Sequence, residues 1–137
     1  MFKFCKMNQH KIIGFVTAKL AHEKKYKASE YFGYDLDGNL HSQIGDEDWI
    51  KFCYDENYYL APTREDLQSW LRVNHKIDVI PTMSQFSRTY GYKIYYISEG
   101  KTEEINNRYI KEDSYNNALE LGLLQALKLI DIKQGKL

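Results

Sequence analysis

The spacing of apolar residues changes along the chain, and each change marks an element. After Pro62-Thr63, the residues Leu67, Trp70 and Leu71 recur at helical spacing and predict a helix with one apolar face. Thr63 is placed to cap its start, and Glu65 and Asp66 suit the positive end of the helix dipole. Asn74-His75-Lys76 closes it: asparagine tolerates the left-handed conformation, and cations suit the C-terminus. The period then becomes two. Ile77-Asp78-Val79 alternates, and Pro81 is expected to stop the run. In Tyr90–Ile97, Tyr90, Tyr92, Ile94 and Tyr96 share one face, and Lys93, Tyr95 and Ile97 share the other. Glu99-Gly100-Lys101 reads as a turn, and 103–110 as a weaker strand with Ile105 and Tyr109 on one side. From Ser114, a plausible cap, the residues Tyr115, Ala118, Leu119, Gly122, Leu123, Ala126, Leu127 and Ile130 form a continuous helical stripe. Leu121 and Leu124 fall outside this arc and are candidate interface residues, to be covered by the N-terminal half or by another chain. Residues 131–137 read as a frayed tail.

The first half is patterned more weakly. Phe2 to Ile13 predicts a short strand, placed at Lys11-Ile12-Ile13 and broken by Gly14. Val16 to Tyr26 predicts a helix with Val16, Leu20 and Ala21 inside and Lys19, Glu23 and Lys25 outside. Glu30 to Leu36 reads as a strand, Asp37-Gly38 as a two-residue hairpin turn, and Asn39 to Ile44 as the return. A loop at 45–48 leads into the aromatic stretch Trp49 to Leu60, which Asp55-Glu56-Asn57 interrupts. The fold class this implies is α+β: a single domain over 1–137, with a helix-plus-hairpin region at 1–60 and a helix–three strands–helix unit at 61–131. In that unit an antiparallel sheet of three or more strands packs against the helices near 63–75 and 114–130.

Composition narrows the function. A chain of 137 residues can bury a core without disulfides. Cys5 and Cys53 form no motif, and no apolar run approaches a membrane span or a signal core, so the expectation is a cytoplasmic protein that does not engage membranes. Net charge is zero but segregated. Residues 1–27 carry seven lysines against Glu23, and residues 28–62 carry eight acids against Lys51. The simpler consequence is that the two segments pair with each other; the sharper one is a basic surface for an acidic partner. The basic candidates are Lys19, Lys24, Lys25 and Lys27, joined by Arg64, Arg72 and His75 as a recognition edge.

Catalytic and metal signatures are weak. Asp35-x-Asp37-x-Asn39 with Asp46 resembles a calcium loop, but Leu40 occupies the position that requires glycine, so a hairpin turn is favoured. His10, His22, His41 and His75 lack ligand spacing, and no metal or cofactor is expected. Nothing in the sequence activates a Cys53/His75 pair. The tyrosine-rich strand with Lys93 and Arg88 could stack on bases, but filling the sheet–helix layer is the more general use. Trp70 is expected in the core.

Two resemblances follow. The order helix–three strands–helix in the last 70 or so residues is similar to the double-stranded-RNA-binding domain. That family opens its second helix with phosphate-gripping lysines, whereas 113–117 here is Asp-Ser-Tyr-Asn-Asn. Residues 61–77 (APTREDLQSWLRVNHKI) and 114–130 (SYNNALELGLLQALKLI), with 17–24 upstream, resemble a group of small uncharacterised proteins encoded in phages, prophages and other mobile elements of gut bacteria. That resemblance implies a compact cytoplasmic accessory protein. The reading is a non-enzymatic protein-interaction module that binds a protein partner or itself; nucleic-acid binding through the basic candidates is the alternative.

Overall fold

The structure is a computed structural model that describes residues 11–27, 32–42, 57–84, 88–98, 101–112 and 114–134, with the backbone alone at 105–112 and 131–134. The class is α+β, and the described residues form three helices and two antiparallel three-stranded sheets. The chain divides into two compact units at Thr63/Arg64.

In the first unit, Ile12 forms an antiparallel bridge with Thr63 rather than a full strand, and the Ile13 N–H donates to the Pro62 carbonyl at 3.0 Å. Helix α1 spans Phe15–Glu23. Its buried side is Thr17, Ala18 and Ala21, whereas Val16 is 66% exposed, so the expected inward face is rotated. Aromatic packing explains the rotation. Strands β1 (Phe32–Asp35), β2 (Leu40–Ser42) and β3 (Tyr58–Leu60) form a sheet in the order β2-β1-β3. Register places Tyr34 beside Tyr59, and the Phe15 ring sits against both, with centroids 5.7 and 5.9 Å apart. Seating Phe15 there turns the small residues Ala18 and Ala21 inward and Val16 outward. Beneath lies a small core of Ile12, Phe32 and Ala61, with Tyr34 and Leu40 packed on it. The hairpin strands thus pair with β3 in a sheet of their own.

The hairpin loop has three residues, not two. The Gly38 N–H donates to the Asp35 carbonyl, the Asp35 N–H donates to the Asn39 carbonyl, and Gly38 adopts φ +92°. This is a tight turn over Leu36-Asp37 followed by a left-handed glycine, the common three-residue solution. The Asp35 side chain selects it: Oδ1 accepts from the N–H groups of Asp37 and Asn39, both at 2.9 Å, which folds the chain back over its own carboxylate.

In the second unit, helix α2 (Arg64–His75) runs directly into strand β4 (Ile77–Met83). Lys76 makes the corner at φ +59°, while Asn74 stays helical and its Nδ2 donates to the Trp70 carbonyl. The left-handed position is therefore two residues later than the sequence suggests. Strands β5 (Tyr90–Ser98) and β6 (Lys101–Glu112) complete an antiparallel sheet in the order β4-β5-β6. Lys101 belongs to β6; Glu99 and Gly100 lie outside the described residues.

Helix α3 (Tyr115–Gln134) starts with the Asn117 N–H donating to Ser114 Oγ, so Ser114 is the cap that its sequence position predicts. α3 lies against β4 and β5, with α2 beside it. Its stripe of Ala118, Leu119, Leu123, Ala126, Leu127 and Ile130 is buried, as are Leu67 and Leu71 of α2 and Ile77, Val79, Tyr92 and Ile94 of the sheet. Tyr115, the first residue of the stripe, is 49% exposed.

Pro81 does not end β4, which continues to Met83. The register explains why. The Ile97 N–H donates to the Lys76 carbonyl, so residues 76, 78, 80 and 82 point their backbone groups at β5, while 77, 79 and 81 point theirs away. Among the described residues β4 is an edge strand, and a proline whose missing N–H would have faced outward costs no ladder bond.

Candidate interaction surface

The two helices occupy one face of the β4-β5-β6 sheet, and side-chain alternation assigns the other face to a different set of residues. Asp78 pairs in register with Tyr95 and Ile80 with Lys93, and Ile97 follows on the same side of β5. Ile80 is 42% exposed, and Tyr95 and Ile97 are half-buried. Charges on this face are matched. Arg72 donates from Nε and Nη2 to one carboxylate oxygen of Asp78, at 3.2 and 3.1 Å, and Lys93 Nζ lies 3.5 Å from Glu104. An apolar strip of Ile80, Tyr95 and Ile97 is therefore flanked by two neutralised ion pairs. Thr82 Oγ1, on the same face, is enclosed without a hydrogen-bond partner.

The outer edge of β4 is blunted. The outward carbonyl of Val79 accepts a hydrogen bond from Gln68 Nε2 of α2, and Pro81 presents no N–H. At the other edge, β6 pairs with β5 through two irregularities of register, which bend a strand and disfavour further pairing. Among the described residues of this unit, strand addition is thus an unfavourable way to bind the sheet.

Within α2 the basic candidates Arg64 and Arg72 are spread along the helix. Arg64 and Arg72 stand eight residues apart on α2, about 12 Å along the axis. Each is held by an acid. Arg64 Nε donates to Glu120 of α3 at 3.0 Å with both side chains mostly buried, and Arg72 is engaged by Asp78. His75, at the end of α2, stacks edge-on with the Trp70 ring at a centroid distance of 4.7 Å, and burial lowers its pKa below the ordinary imidazole value. Trp70 itself is half-buried rather than in the core, because Leu67 and Leu71, one turn apart, take the inward position.

In the first unit, Lys19, Lys25 and Lys27 are exposed and Lys24 is half-buried. Lys24 and Lys25 have a structural task as well. Lys24 is the C-cap of α1 and Lys25 the left-handed residue after it, at φ +69°. The Tyr26 N–H donates to the Ala21 carbonyl and the Lys25 N–H to the His22 carbonyl, the paired bonds that close a helix C-terminus. Cations here also complement the negative end of the helix. Most of the acids expected to pair with this segment, including Asp46, Glu47 and Asp48, lie outside the described residues, as do Cys5, Cys53 and His10. Leu121 and Leu124 are half-buried.

A second cluster surrounds Asp35. Its Oδ2 lies 2.8 Å from His41 Nε2 and accepts from Asn39 Nδ2 at 3.3 Å, and the His41 ring meets Tyr58 edge-on. The hydrogen bond from His41, followed by that from the Asn39 backbone, holds the Asp35 carboxyl at a pKa of about 2. Both oxygens are thereby turned into the hairpin, the role favoured over a calcium loop. Among the described residues no group of three or more His, Cys, Asp or Glu could hold a metal, and no helix is long and apolar enough to cross a membrane.

Ile80 is hidden as a surface residue in the sequence because a strand ending at Pro81 leaves its face unassigned. Extending the alternation of Ile77-Asp78-Val79 by one step would have placed Ile80 opposite the core. The Gln68–Val79 contact left no signal, since a glutamine on a helix flank is unremarkable in sequence.

No protein family, no curated protein and no solved structure matches this chain.

Proposed function

We propose that the chain is a small non-enzymatic accessory protein, of the phage or mobile-element type that residues 61–77 and 114–130 resemble, and that it binds a protein partner through the helix-free face of the β4-β5-β6 sheet. The observation that carries this reading is the strip of Ile80, Tyr95 and Ile97 between the Arg72–Asp78 and Lys93–Glu104 pairs. An apolar centre with aromatic character inside a polar, charge-balanced rim is the anatomy of a protein–protein contact. Nucleic-acid binding ranks below it. Phosphate contacts need cations free to displace counterions, and Arg64 and Arg72 each already face a carboxylate, which leaves that reading to the lysines of the first unit.

The test replaces Tyr95 with a photo-crosslinking phenylalanine analogue, and separately Lys19 as a control, and irradiates each in lysate of the host bacterium. The expected result is a discrete protein adduct at position 95 that is absent at 19, with affinity for that protein falling more than about tenfold on Ile80→Asp or Tyr95→Ala. No adduct at 95, together with salt-sensitive binding of labelled duplex RNA or DNA that Lys19→Glu and Lys25→Glu abolish, would overturn the reading in favour of nucleic acid.

A further inference from the structure

We draw no further inference here: the strongest candidate, the patch of exposed Met83 and Tyr115 with half-buried Tyr90 where β4 ends, β5 begins and α3 starts, carries nothing because nothing in the structure shows what covers it.

Discussion

A Cβ built on Gly122 would stand 2.6 Å from Cγ1 of Val79 and 3.1 Å from Cβ of Tyr92. The middle of α3 therefore touches the sheet backbone-to-side-chain, closer than any other residue type would allow. Gly122→Ala should destabilise the protein. Alanine gains up to about 1 kcal/mol of helix propensity, but forcing a methyl group into a packed layer costs about 1–3 kcal/mol. A net loss of up to about 2 kcal/mol is expected in urea denaturation. Val79→Ala removes the colliding methyl, so the double variant should be less destabilised than the two single losses added together. Strict additivity would show that the contact is not tight.

The two left-handed lysines at helix ends offer an opposite effect. Lys25 and Lys76 hold φ of +69° and +59°, where a side chain is strained and glycine is not. Lys25→Gly and Lys76→Gly should each raise stability by about 0.5–1 kcal/mol, seen as a higher melting temperature. A fall in melting temperature on either change would mean that the lysine's interaction with its helix end outweighs the strain.

Asp35 makes a pH prediction. Its carboxyl titrates at about 2 in the folded chain against an unfolded value of 3.8. A depressed carboxylate pKa means the unfolded state binds the proton more readily. Its contribution to stability is thus fully present above about pH 4 and is lost as pH falls through about 2. In an NMR titration, the amide resonances of Asp37 and Asn39 should move with a midpoint near 2, because their N–H groups donate to the carboxylate being protonated. In His41→Ala that midpoint should rise toward the ordinary carboxylate value, since the His41 contact is the largest cause of the shift. An unchanged midpoint would assign the shift to the backbone donors alone.

The Arg64–Glu120 pair ties α2 to α3 with side chains only 14% and 20% exposed. Removing one partner leaves a poorly hydrated charge, so Arg64→Met or Glu120→Leu alone should cost more than both together. A double-mutant cycle should give a coupling of about 1 kcal/mol, above the usual value for an exposed pair. Coupling near zero would place the pair in effectively bulk-like solvent.

How far this fold could be read in advance follows from the range of the interactions involved. The buried stripe of α3, the inward faces of α2 and β5, and the Ser114 cap all depend on residues within a turn or two of each other, and local spacing in the sequence carries that information. The same holds for the α+β class and for the order helix–three strands–helix. Pairing between distant segments decided the rest. Whether Pro81 ends or continues β4 depends on which side of the strand faces β5, and that depends on register with residues 91–97. Which side of α1 is buried depends on where the Tyr34–Tyr59 pair seats Phe15. Arg64 and Arg72 read as one basic edge in sequence, whereas in the fold Glu120 and Asp78, which local spacing does not place beside them, engage each in turn. The sequence by itself determined the elements and their apolar faces, because hydrophobic periodicity is local. Tertiary structure alone decided which polar and apolar residues remain for a partner, because that depends on which side chains the other elements cover or neutralise.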